Sequence, residues 1–142
     1  ASGAVFPPRA AAALASSLPE VGLVVAPPGP TGFWLGRTFP TTEPGSVVVT
    51  TGDPAGTAEA MALLAARAGR PTTLVLGEGA RADEVLDALA AESLPLTVEV
   101  WTRPDAEADP RTRVVAVDWS VLDALVEVAG EPDPAIWPGR AP

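Results

Sequence analysis

Any chemistry this chain performs rests on Asp, Glu, Ser, Thr, Arg and the backbone, because histidine, cysteine, lysine, tyrosine, asparagine and glutamine are missing from its 142 residues. Cys/His zinc sites, Ser-His and Cys-His relays, Schiff-base lysines and redox dithiols are thereby excluded. No catalytic residue, metal-ligand set or cofactor is assigned, and the balance leans away from an enzyme. All nine basic residues are Arg, and the wealth of Ala, Gly, Pro and Val is what a GC-rich bacterial genome produces.

The best candidate for a ligand site is Thr50-Thr51-Gly52-Asp53-Pro54-Ala55-Gly56-Thr57, which reads as the turn from a strand into a helix. Ligands collect at that end of open α/β sheets. Gly52 and Gly56 permit close approach, free amides at the helix start favour an anion, and Thr51 and Thr57 add hydroxyl groups. Asp53 opposes an anion, and neither the Walker lysine nor a complete dinucleotide glycine pattern is present. The plainer alternative is a βα turn in which Asp53 or Thr57 caps the helix. Gly77 and Glu78 occupy the equivalent turn after the next strand, where Glu78 is expected to come near Asp53. A carboxylate pair can hold Mg²⁺ through water or exchange protons; two separately solvated acids are the simpler outcome. The run Asp105, Glu107, Asp109 reads as a solvated loop rather than a calcium loop.

Two of the four tryptophans, Trp34 and Trp137, lie in Gly/Pro-rich context and are expected to anchor a protein partner or a neighbouring domain. Trp101 and Trp119 are expected in the core.

The elements that must position these residues follow from periodicity. Pro7-Pro8 opens an Ala-rich helix that Pro19 stops. Val21 to Ala26 is a continuous apolar run suited to a strand buried on both faces. Gly32 to Phe39, short and aromatic, reads as an edge strand or small hairpin. Ser46 to Thr51 is a strand, followed by a helix whose apolar face includes Met61, Leu64, Ala65 and Ala68 and which Gly69 closes. Thr72 to Gly77 is a further strand, and Asp83 to Glu92 an amphipathic helix. Two successive strand–helix–strand units argue for a parallel sheet with right-handed crossovers. Leu96 to Trp101 and Arg113 to Val117 are separated only by a polar loop, which suits an antiparallel pair at the sheet edge. Asp118 or Ser120 is expected to cap a last helix carrying Val121, Leu122, Leu125, Val126 and Val128. The fold class is therefore α/β, a three-layer Rossmann-like sandwich with a mostly parallel sheet and an antiparallel edge pair. Residues 1–130 form one domain, and 131–142 a Pro/Trp-rich tail or linker.

The stretch from Val21 to about Leu76 resembles caspase-haemoglobinase-type cysteine peptidase modules of large toxin-like proteins, on the order Leu23-Val24-Val25-Ala26-Pro27, Gly32-Phe33-Trp34-Leu35-Gly36, Val47-Val48-Val49-Thr50-Thr51-Gly52 and the helix ending Gly69-Arg70-Pro71. The resemblance implies a strand ending in His-Gly, a small hairpin and a strand ending in Cys. Ala26-Pro27 stands where His-Gly would fall and Thr50 where Cys would, so the resemblance implies a degenerate module without peptidase activity.

A formal charge of -9 repels phosphate backbones, so nucleic acid is not expected as a partner. No apolar run reaches membrane-spanning length, so no membrane insertion is expected. The start at Ala1, without Met, suits a processed or excised piece of a multidomain protein, soluble and either cytoplasmic or exported. The leading functional expectation is a non-catalytic protein-interaction module of a larger assembly. The alternative is a domain binding an anion, nucleotide or Mg²⁺, or using carboxylates in catalysis, at the C-terminal rim of its sheet.

Overall fold

The computed structural model describes residues 3–51 and 55–120. Its elements are α1 (Pro7–Ser17), β1 (Leu23–Ala26), α2 (Pro30–Thr38), β2 (Val47–Val49), α3 (Thr57–Arg67), β3 (Thr72–Gly77), α4 (Asp83–Ala91), β4 (Leu96–Thr102) and β5 (Arg113–Ala116). The strands form one sheet in the order β2-β1-β3-β4-β5, and every pairing is parallel. This is the α/β, Rossmann-like architecture expected for buried strands alternating with helices.

Alternation along the strands divides the core in two. Leu23, Val25, Leu74, Leu76, Val98 and Val100 face α3 and α4. Val24, Ala26, Val75 and Trp101 face α1 and α2, where they meet Leu14, Trp34 and Leu35. A central strand must be apolar on both faces to serve both layers, which is why β1 is wholly apolar and β3 is apolar beyond the two threonines at its start.

Three expectations are corrected. First, β4 and β5 are parallel, with Val100 opposite Val114, so the antiparallel edge pair is not formed. The connection, residues 103–112, contains no helix. Ten residues can span up to roughly 33 Å, whereas the return along a four-residue strand needs only about 13 Å. The loop is fastened to α4 on its way back: Arg111 Nη1 lies 3.0 Å from Asp87 Oδ1, and Arg111 Nη2 lies 3.7 Å from Asp83 Oδ1 and 2.7 Å from Asp109 Oδ2.

Second, Gly32 to Thr38 is helical rather than a strand or hairpin. Pro30 opens α2 in its first turn, and Thr31, Trp34 and Leu35 form a buried stripe at helical spacing. Gly32 is required by contact: a Cβ there would stand 2.3 Å from the Pro27 carbonyl oxygen and 2.8 Å from Val49 Cγ1. Third, the inward face of α3 is Ala58, Ala62 and Ala66, whereas Met61 and Leu64 are exposed and Ala65 only partly buried. Alanines let the helix lie close to the sheet, Leu63 packs partly buried beside them, and Met61 and Leu64 are turned outward. Gly69 does close this helix, at φ +83°.

The open edge of β5 is extended at one point: Val5 forms a parallel bridge with Val117, its N–H donating to the Ala116 carbonyl at 2.9 Å. Among the described residues no helix is long and apolar enough to cross a membrane. The expected last helix over Val121 to Val128 and the expected tail from residue 131 lie outside the described residues.

Candidate functional site

Strands β1 and β3 are neighbours, yet the helices that follow them leave on opposite faces, α2 towards α1 and α4 towards α3. Their carboxyl ends cannot both be covered, and a crevice opens at this switch point. It is a cleft of about 680 Å³, bordered by Pro30 and Thr31 of α2, Gly77 at the end of β3 and Glu78 after it, Arg103 and Pro104 after β4, and Val117 to Ser120 after β5. That volume falls within the range of small-molecule sites.

Thr31 is the unusual member. Its residue is 3% exposed, and its Oγ1 is buried without a hydrogen-bond partner. A buried hydroxyl left unpaired costs about 1–3 kcal/mol. Position explains its place in the cleft wall: Gly29, at φ +129°, turns the chain after β1, Pro30 starts α2, and Thr31 is carried to the wall beside Gly77. A Cβ on Gly77 would lie 3.4 Å from Thr31 Oγ1, in van der Waals contact with it. The N-cap residue Gly29 offers no side chain, and the first turn holds no acid, so the positive end of the α2 dipole is not neutralised from within the helix.

Across the mouth, Arg103 Nε and Nη2 donate to Glu78 Oε2 and Oε1 at 2.9 and 3.2 Å. Arg103 holds the Glu78 carboxyl below the usual carboxylate range by these hydrogen bonds, and Glu78 raises Arg103 in turn. Asp118 Oδ1 accepts from the Ser120 amide at 3.0 Å; hydrogen bonding to the Ser120 side chain first, and to this amide second, lowers the Asp118 pKa. Trp119, half-buried, forms part of the wall and packs tilted on Trp101 with ring centroids 6.4 Å apart.

A second cleft, of about 730 Å³, lies at the same sheet edge on the opposite face, between the starts of α3 and α4. The residues expected to share one rim are thus divided. Gly56 and Thr57 border the second cleft, Gly77 and Glu78 the first, and Thr51 is exposed. Gly52 and Asp53 lie outside the described residues, as does Trp137. Glu78 is engaged by Arg103, and no group of three acids able to hold a metal occurs among the described residues. Trp34, expected as a surface anchor, is 6% exposed within the α1/α2 layer and packs edge-on against Phe33. Trp101 is fully buried, as expected for a core residue.

No protein-family model matches the sequence, and none of the curated proteins matches it.

Sequence reasoning passed over Thr31, Arg103, Asp118 and Trp119 as cleft residues. Thr31 carried a usable signal, since Gly29-Pro30-Thr31 directly follows the first fully buried strand. The contribution of Arg103 depends on Glu78, 25 positions away, and has no local signature.

Proposed function

We propose that the domain binds a small polar organic molecule in the switch-point cleft and does not transform it. One observation carries this reading: a buried hydroxyl without a partner, Thr31 Oγ1, in the wall of a cleft of about 680 Å³ beside an uncapped helix start. Thr31 has no hydrogen-bonded base to activate it, which favours recognition over catalysis. Nucleic acid does not belong among the proposed ligands, given a net charge of -9. Membership of a larger multidomain protein, and descent from a degenerate peptidase-like module with Ala26 and Thr50 at its paired strand ends, are compatible parts of the same proposal. Protein contact is a second reading that rests on the exposed Met61 and Leu64 of α3 rather than on Trp34.

The test is a titration of the isotope-labelled chain, followed by amide and indole resonances, with nucleotides, inorganic phosphate, Mg²⁺, sugars and amino acids. A ligand should move Gly77, Thr31 and the Trp119 indole saturably. Gly77→Ala, whose methyl group would cover Thr31 Oγ1 at 3.4 Å, should weaken it by about tenfold, or 1.4 kcal/mol. A full panel that leaves these resonances unmoved overturns the reading.

A further inference from the structure

The cleft has two ends of opposite electrical character, and that pattern specifies a class of ligand. At one end stand the start of α2 and the unpartnered hydroxyl of Thr31. Free helix N-termini attract a carboxylate or another oxyanion. Thr31 stands beside Gly77 at the end of β3, whereas Asp118 follows the end of β5, two strands further along the sheet, and directly precedes Trp119; both Asp118 and Trp119 border the cleft. A carboxylate next to an indole suits an ammonium group, through an ion pair and through attraction to the ring face.

The remaining charges do not disturb this polarity. Among the described residues that border the cleft Arg103 is the one cation, and both oxygens of Glu78 occupy it. With Arg103 so held and Asp118 left over, a phosphate dianion would enter a cleft of net negative charge. An uncharged molecule would leave both ends unanswered. Pro30, Pro104 and Val117 add apolar surface to the walls, which suits an apolar side chain.

We infer that the cleft binds a zwitterionic amino acid with an apolar side chain, its carboxylate on Thr31 and the start of α2 and its ammonium group towards Asp118 and Trp119. This inference rests on the proposal that the cleft is a ligand site.

The experiment titrates the chain with the standard L-amino acids. L-Phenylalanine is compared with phenethylamine, which lacks the carboxylate, and with 3-phenylpropanoate, which lacks the amine. At least one apolar L-amino acid should bind saturably, with shifts at Thr31, Gly77 and the Trp119 indole, and loss of either charged group should weaken binding at least about tenfold. Thr31→Val should weaken the amino acid and 3-phenylpropanoate and leave phenethylamine unchanged. Asp118→Asn, which keeps an oxygen to accept from the Ser120 amide, should do the reverse. Binding of either single-charged analogue as tightly as the amino acid overturns the zwitterion assignment. So does a cleft that answers only to nucleotides, sugars or phosphate, although the cleft itself then stands as a ligand site. Silence towards every compound removes both.

Discussion

Glu99 and Arg113 sit opposite each other on the neighbouring strands β4 and β5, with Arg113 Nε 3.2 Å from Glu99 Oε2. The carboxylate side chain is 1% exposed and the arginine 52%. Glu99 Oε1 also accepts from the Trp101 indole N–H at 2.7 Å. A charge is thus held beneath the α1/α2 face of the sheet with one partner behind it and one at the solvent edge. Burial pushes the Glu99 carboxyl above its ordinary pKa, and the Trp101 hydrogen bond and the Arg113 charge pull it only part of the way back.

Because the folded state keeps the Glu99 proton to a higher pH than the unfolded chain does, this group favours folding most below about pH 4.5, its ordinary value. Its contribution falls as pH rises through the raised folded-state value. Glu99→Gln keeps an oxygen for Trp101 and does not titrate. Denaturant unfolding from about pH 4 to about pH 8 should show the wild type losing stability relative to Glu99→Gln as pH rises. A wild type that gains on the variant over that range would mean that Arg113 outweighs burial.

Gly32→Ala drives a methyl group to 2.3 Å from the Pro27 carbonyl oxygen. The obstacle is backbone, so α2 must move. A loss of about 1–3 kcal/mol is expected in denaturant unfolding, together with shifts of the Thr31 and Gly77 resonances. Unchanged stability would place α2 further from β1 than described.

Ala62 and Leu64 should respond in the opposite order to their size. Ala62 is fully buried and Leu64 is 67% exposed. Ala62→Leu should cost about 1–3 kcal/mol by overpacking, and Leu64→Ala should stay within about 0.5 kcal/mol. A large loss at Leu64 would mean that its side chain is covered in solution, as the protein-contact reading requires.

Arg111→Ala should release the loop 103–112 from α4 and leave the sheet in place. Faster hydrogen exchange confined to that loop is the expected readout, and high salt should reproduce part of it in the wild type because these pairs are exposed. Loss of protection throughout β5 would show that the clamp also fixes the strand's direction.

Much of this architecture is legible in the sequence. Continuous apolar runs marked β1 and β3, and Pro7-Pro8 and the Val85, Leu86 pair marked α1 and α4. Where the reading failed, composition concealed geometry. In α2, Gly32, Phe33 and Gly36 suggest a strand, but burial of Thr31, Trp34 and Leu35 on one side follows helical spacing. In α3, Met61 and Leu64 look like core, but the sheet accepts only the alanine face. The direction of β5 could not be read, because a polar loop of ten residues can serve a hairpin or a return. The turns at Thr57 and Gly77 both lie at the carboxyl end of the sheet, and the division of that end into two clefts emerges only when α2 and α4 take opposite faces.

An all-parallel sheet also sets the order in which this chain can assemble. No two paired strands are joined by a hairpin; even Glu99 and Arg113, partners on β4 and β5, are fourteen positions apart, and Leu23 waits for Thr72. Each pairing must close a loop before it gains a ladder, a topology associated with slow folding. During synthesis β1 can find β2 early, but its second edge stays open until β3 has been made. The most deeply buried strand of the first half is therefore the one that waits longest for cover, and that interval is when the nascent chain is most exposed to aggregation.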